Sequence, residues 1–295
     1  MSMQVNPQTR STGTEVKAVN PRQPARKPSM TMQVIPLTGS IGAEVKGINL
    51  NQPLDDATFD ALHTAFLDHC VLVFRDQGLE PEAQIAFGKR WGELVQQNPL
   101  LKGAGGYPEL IQVTKIPKET ASTEAWHYDS PYTAVPPKIS ILAAVCVPHG
   151  GDTMWCNQYQ SYDRLSAPMK RMLEGVRVKF VGLRLGRMMG ADLKDLPTAV
   201  HPIVRTHPET KRKALYVGHR ETAQQLDGMT AEESRPLLDF LYEHSTQPDN
   251  IYRHMWREGD LVMWDNRCTM HYAVHDYGEQ ERVLNRITLK GEVPA

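Results

Sequence analysis

The segment Trp126-His127-Tyr128-Asp129 sets an imidazole and a carboxylate two residues apart. In an extended strand such residues project to the same face, so His127 and Asp129 can offer a nitrogen and an oxygen to one metal ion. A third ligand has to come from elsewhere. The best candidate is His271, at the end of Leu261-Val-Met-Trp-Asp-Asn-Arg-Cys-Thr-Met-His271. There an apolar strand, LVMW, runs out into a turn at Asp265-Asn266 and returns with a histidine. Two histidines and one carboxylate on one side of a metal leave its other positions open. That arrangement suits a non-haem Fe(II) that must bind a cosubstrate and O₂ together.

A bare His-x-Asp arises often by chance, and two arginines further along give it weight. Arg282 and Arg286 lie in Glu281-Arg-Val-Leu-Asn-Arg286-Ile-Thr-Leu, a strand pattern close to the C-terminus. Four residues apart, they share one face of that strand. Each guanidinium can form paired hydrogen bonds with a carboxylate, so each can anchor an acid, although the usual fate of arginine is a surface charge. On the residues alone, two other classes stay open. One is a Zn²⁺ or Mn²⁺ hydrolase or isomerase with the same ligands. The other is a non-catalytic metal-binding protein, although all three ligand positions are filled.

The elements that must position these groups read as mostly β with flanking helices. Asp55 and Asp56 precede a helix with Phe59, Leu62 and Phe66 on one face, residues 70–74 form a short buried strand, and Pro81 opens a second helix. Residues 110–114 and 139–147 read as strands, as do 203–205, 213–217 and much of 251–289. Ser166 caps a helix that stops at Gly175, and Thr230-Ala-Glu-Glu233 is a capping box for a helix reaching about His244. Residues 182–200 show no clean period and read as a long loop or lid. Short strands with turn signals, fronted by a few helices, suggest a jelly roll, a double-stranded β-helix.

Residues 1–31 are polar and read as a disordered leader, with 32–295 as one domain. Residues 13–24 of that leader echo residues 42–53. The net charge of -1 gives no sign of a nucleic-acid partner, and no run approaches the roughly 18 apolar residues of a membrane span. The N-terminus lacks an apolar signal region. Cys70, Cys146, Cys156 and Cys268 form no CxxC pair, which fits a reduced, cytoplasmic setting. They read as small buried hydrophobes.

Several stretches together resemble the taurine dioxygenase and phenoxyalkanoate dioxygenase family of Fe(II)/2-oxoglutarate enzymes. They are GAEVKGINL, VLVFRDQ, QIAFGKRWGEL, WHYDSPYTAVPP, GGDTMW, HPIVRTHPETKRKALYV, GDLVMWDNRCTMHYAVHDY and RVLNRITLKG, in family order from about residue 34 to 293. The resemblance implies that His127, Asp129 and His271 ligate iron. It implies that Thr153 and Arg282 hold the distal carboxylate of 2-oxoglutarate, that Trp264 packs beside it, and that Arg286 meets the acidic group of the substrate. It further implies 2-oxoglutarate and O₂ as cosubstrates and ascorbate as an activator; a homodimer or homotetramer is the default expectation for a soluble enzyme. A carboxylate at position 129 argues against halogenation, which needs that coordination position for chloride.

One loop departs from the taurine pattern. Taurine enzymes carry a His and a Tyr after the RFGEL-like motif, whereas this chain reads Val95-Gln-Gln-Asn-Pro-Leu-Leu101. The stretch NPLLKGAGGYPEL, and the segment from Gly228 through Thr269, more closely resemble the (R)-phenoxypropionate-cleaving branch. Gln97, Asn98, Leu101 and, from the lid, Met188 are therefore candidate substrate contacts. The expected substrate is a small organic anion, a carboxylate before a sulfonate. His149 reads as a turn residue. His201, His207, His219, His244, His254 and His275, with no carboxylate at useful spacing, read as structural or exposed.

Overall fold

The computed structural model of the protein describes residues 32–96, 103–114, 124–183, 186, 190, 192 and 195–295. The expected leader, 1–31, lies outside them. Among these residues the chain forms strands β1 (Gln33–Pro36) and β2 (Ala43–Lys46), helix α1 (Asp56–His69), β3 (Val71–Phe74), α2 (Pro81–Trp91), β4 (Ile111–Thr114), β5 (Ile139–Cys146) and β6 (Thr153–Asn157). Two short helices follow, α3 (Gln158–Asp163) and α4 (Ala167–Met172). Next come β7 (Arg177–Val181), β8 (Thr198–Pro202), β9 (Val204–Thr206), β10 (Lys213–Leu215) and β11 (Ala223–Leu226). Helix α5 (Ala231–Ser245) leads into β12 (Ile251–His254), β13 (Leu261–Asp265), β14 (Thr269–Ala273) and β15 (Val283–Leu289). The chain is mostly β with few helices.

The major sheet runs β1-β2-β3-β13-β5-β15-β4, and a smaller sheet runs β12-β6-β14. Period-two alternation in the major sheet decides which residues reach the site. On one face, Leu72, Phe74, Ile141, Met263 and Ile287 form a core with Leu62 and Phe66 of α1 and with Phe87 and Trp91 of α2. On the other, Val71, Val73, Leu142, Ala144, Val262, Trp264 and Leu284 pack with Trp155 of β6 and Tyr252 of β12. Ser140, two residues before Leu142, and Arg286, two after Leu284, share the parity of this second face. Those two polar side chains are thereby aimed into the space between the sheets.

Local chemistry explains the element boundaries. Asp55 caps α1 by accepting from Thr58 N–H at 2.7 Å. The expected strand at 70–74 begins one residue later. Cys70 is the left-handed C-cap of α1 (φ 63°), where the chain turns from helix to strand in a single residue. Thr230 and Glu233 form the expected capping box of α5. The loop expected over 182–200 closes early, because Thr198 and Val200 already pair with β7 as part of β8. No helix among the described residues is long and apolar enough to cross a membrane.

Replacing Thr230 by Ala removes the acceptor for Glu233 N–H and should cost about 1 kcal/mol. Urea unfolding should show a lower midpoint with an unchanged slope. An unchanged midpoint would mean that the cap adds nothing to α5.

Candidate active site

The site is built on one backbone pairing. His127 N–H donates to His271 O at 2.9 Å, and His271 N–H donates to His127 O at 2.9 Å. This isolated bridge sets the two imidazole centroids 4.1 Å apart. The His-x-Asp segment is not a strand beyond it. The chain turns at once, with Ser130 in the left-handed region (φ 42°). The turn still delivers Asp129. Ligand atoms of His127, Asp129 and His271 all lie within 4.8 Å of one another.

The three side chains are poised as metal donors. The Nδ1 of His127 lies 2.7 Å from Ala125 O. A carbonyl only accepts, so Nδ1 carries a proton, which in the neutral ring leaves the Nε2 lone pair for a metal. Asp129 Oδ1 stands 3.7 Å from His271 Nε2, too far for a hydrogen bond but suited to two ligands of one ion. Burial pushes the His271 imidazole well below its ordinary pKa, and His127 and Arg286 push the same way against Asp129. His271 is therefore neutral, as a ligand must be. Burial alone would raise the Asp129 carboxyl, but the Arg286 guanidinium first, then the adjacent His271 and His127 rings and a hydrogen bond from Ser140, overcome it and hold it well below the usual carboxylate range. Two imidazole nitrogens and one carboxylate oxygen fit a divalent first-row metal such as Fe(II).

His271 arrives by a route the sequence did not show. Strand β13 belongs to the major sheet and β14 to the smaller one, so the Asp265-Asn266 turn is a crossing between sheets and not a hairpin. A buried ion cluster fixes that corner. Asp265 Oδ1 accepts from Arg267 N at 2.9 Å and Nε at 2.8 Å, and Oδ2 accepts from Arg267 Nη2 at 2.7 Å. His207 Nε2 approaches the same Oδ2 at 3.1 Å, and Arg267 also pairs with Glu209 at 2.6 Å. Burial opposes the Asp265 charge, yet Arg267 and His207 drive its pKa far below the usual range. The nearest carboxylate to His207 in space is 58 positions away in sequence, so spacing could not reveal the pair. His254 likewise bonds Asp260 at 3.1 Å.

The remaining expected residues fall into two places. Trp264 lies beside His271, with centroids 4.9 Å apart and ring planes tilted by 49°, and Arg286 meets Asp129 Oδ2 at 2.5 Å. Thr153 and Arg282 gather at the Gly150-Gly151 turn instead. Arg282, only 5% exposed, donates from Nε to Gly151 O at 3.3 Å, and its guanidinium lies 5.8 Å from the Tyr277 ring. Burial lowers the Arg282 pKa against the pull of Tyr277 and Asp152. Thr153, two residues on from Gly151, accepts from Trp256 Nε1 at 3.0 Å. Gly151 has φ 70°, and a Cβ there would come within 2.9 Å of Tyr277 and 3.2 Å of Arg282, so the turn requires glycine. Gln97, Asn98, Leu101 and Met188 lie outside the described residues. Sequence reasoning missed Ser140, Asn266 and Asp276. Asp276 Oδ1 accepts from Gly151 N at 2.8 Å.

Residues 33–288 match the family described as Taurine catabolism dioxygenase TauD, TfdA family. The chain belongs to this family. It is 37% identical over 255 residues to an alkylsulfatase of Acinetobacter baylyi, covering 81% of this chain and 79% of that protein. It is 34% identical over 247 residues to an alpha-ketoglutarate-dependent 2,4-dichlorophenoxyacetate dioxygenase of a Burkholderia species, covering 75% and 82%. A solved taurine dioxygenase from Burkholderia xenovorans superposes with a TM-score of 0.79 at 34% identity, covering 91% of each chain. In this chain the corner at Asp265 leads into β14 and the candidate ligand His271, and its ion cluster has a pH signature.

The Asp265 carboxyl titrates far lower folded than the roughly 3.9 expected unfolded. Its contribution is therefore fully present above about pH 4 and is lost as pH falls below that. Urea unfolding between pH 7 and pH 3 should show stability dropping below pH 4, with a flatter dependence for Asp265→Asn. That variant should already be weaker at pH 7 by about 3 kcal/mol. Equal acid slopes would remove Asp265 from the account.

Proposed function

We propose that the chain is an Fe(II)/2-oxoglutarate-dependent dioxygenase, carried on a double-stranded β-helix, that hydroxylates a small organic anion. The observation that carries the reading is the convergence of His127, Asp129 and His271 between the two sheets, in a chain of this family. His127, Asp129 and His271 would hold the iron. Bound there with 2-oxoglutarate and O₂, the iron supplies an oxidation that places one oxygen atom in a substrate C–H bond while 2-oxoglutarate becomes succinate and CO₂.

The protein's own groups bind and orient. Arg282 would pair with the distal carboxylate of 2-oxoglutarate from a buried position, where a guanidinium–carboxylate contact is strong and directional. The Thr153 hydroxyl, whose oxygen already accepts from Trp256, has its proton to give to the same carboxylate. Trp264 would wall the cosubstrate on the His271 side and exclude water. Arg286 would present its charge to the substrate's acidic group beside the metal ligands, so that anion binding places the C–H bond near the oxidising centre.

A carboxylate is favoured over a sulfonate, because the loop at 95–101 lacks the His and Tyr of the taurine pattern. If the attacked carbon bears an ether or ester oxygen, the hydroxylated product collapses and the C–O bond breaks. The relatives named for 2,4-dichlorophenoxyacetate and for alkyl sulfates make both substrate types worth assaying.

The test is succinate formation in air with Fe(II), 2-oxoglutarate and ascorbate, across aryloxy acids, alkyl acids, sulfonates and sulfate esters. At least one carboxylate should raise succinate well above the uncoupled rate, and Asp129→Ala should abolish turnover while leaving the fold intact. Retained succinate production in that variant would contradict the ligand assignment. Arg282→Ala should raise the KM for 2-oxoglutarate about 10- to 100-fold, with a far smaller effect on the KM for the substrate. A flat panel with no 2-oxoglutarate binding would favour a hydrolase or a binding protein.

A further inference from the structure

Asp129 Oδ1 faces His271, while Oδ2 is turned away and is held by Ser140 and Arg286. Behind Oδ2 lies a line of three buried side chains, Ser140, Asn266 and Trp264. Trp264 Nε1 donates to Asn266 Oδ1 at 2.9 Å, Asn266 Nδ2 donates to Ser140 Oγ at 3.0 Å, and Ser140 Oγ donates to Asp129 Oδ2 at 2.7 Å. Ser140, Asn266 and Trp264 are 0%, 2% and 1% exposed, so bulk water cannot take over any of these bonds.

The direction of every bond in the line is forced. The Trp264 indole can only donate, so Asn266 must turn its carbonyl oxygen toward it. That fixes the amide's NH₂ toward Ser140. Arg286 Nη2 also points at Ser140 Oγ, at 3.2 Å, and a guanidinium too can only donate. With both neighbours giving protons to the serine oxygen, the hydroxyl hydrogen is left for Asp129 Oδ2. An amide otherwise free to flip and a hydroxyl otherwise free to rotate therefore have one arrangement each.

We propose that Ser140 and Asn266 are positioning residues for the metal centre. The indole of Trp264 sets the amide, the amide sets the hydroxyl, and the hydroxyl holds Oδ2 so that Oδ1 alone is offered to the ion. The inference rests on the metal-centre reading above. It assigns work to two side chains that would not themselves coordinate the ion, and adds a second task to Trp264. A carboxylate held through one oxygen takes one coordination position and leaves the rest for cosubstrate and O₂.

The test is anaerobic titration of the metal-free protein with Co(II), following the visible d–d bands, which report both affinity and coordination. Wild-type protein should bind one Co(II). Ser140→Ala should bind it about 10- to 100-fold more weakly with altered band shape, and so should Asn266→Asp, which keeps the size but replaces the donor with an acceptor. Because Asn266 acts through Ser140, adding Asn266→Asp to Ser140→Ala should weaken binding little further. Thermal melts of the metal-free variants separate this effect from misfolding. Wild-type affinity and spectrum in both folded single variants, or effects that simply multiply in the double variant, would overturn the relay. A wild-type protein that takes up no Co(II) would overturn the metal centre itself, and the relay with it.

Discussion

Two backbone hydrogen bonds between His127 and His271, each 2.9 Å long, are the constraint on which the site depends. They join a turn-rich segment to the middle of β14 in the smaller sheet and bring two imidazoles within van der Waals reach. Two imidazoles so close and so buried cannot both be imidazolium cations without severe repulsion. The structure resolves this by keeping His271 neutral and by placing an ionised carboxylate beside it. Neutral nitrogens facing a fixed negative oxygen attract a small divalent cation, and the same bridge keeps them in place before one arrives.

That bridge works only if His271 is delivered from the right direction, which is the task of the corner at Asp265. The strand before it belongs to one sheet and the strand after it to the other, so the corner carries the chain across the space that the site occupies. Such a crossing exposes backbone groups that neither sheet can satisfy. Here Asp265 N is taken by Cys70 O at 2.9 Å, Asn266 N by Lys138 O at 2.8 Å, and Asp265 O by the Thr269 hydroxyl at 2.8 Å. The Asp265–Arg267 pair makes the corner rigid at the cost of desolvating two charges, a cost that close multiple hydrogen bonding offsets. The same corner supplies Asn266 to the line that ends on Asp129. On the proposed reading, one crossing would set both a candidate histidine ligand and the orientation of the candidate carboxylate ligand.

Much of this was legible in the sequence because it is written in local chemistry. Caps at Asp55, Ser166 and Thr230, proline at the start of α2, and the short apolar runs of β5 and β13 are signals acting over a few residues, and these elements start where those signals placed them, although the helix capped by Ser166 ends at Met172, short of Gly175. The ligand candidates were legible because few residue types bind metal and because the spacing of several motifs resembled one family. What was hidden depends on contacts distant in sequence. The LVMW–turn–histidine run has the same pattern whether the turn is a hairpin or a crossing between sheets. Ser140 sits in ISILAA, where a small polar residue in an apolar strand gives no sign that it will meet Asp129. His207 and Asp265 pair across 58 positions. The strand expected at His-x-Asp is an isolated bridge at His127 followed by a turn with Ser130 at φ 42°, which no apolar or polar period announces.

The central claim is that His127, Asp129 and His271 form a centre that can bind Fe(II) and 2-oxoglutarate together. Anaerobic visible spectroscopy tests it most directly, since a 2-oxoglutarate chelated to Fe(II) gives a charge-transfer band that neither component gives alone. The account expects the wild-type protein to show the band only when both are present, and His271→Ala to show none under the same conditions. No band in folded wild-type protein, or an undiminished band in His271→Ala, would contradict it.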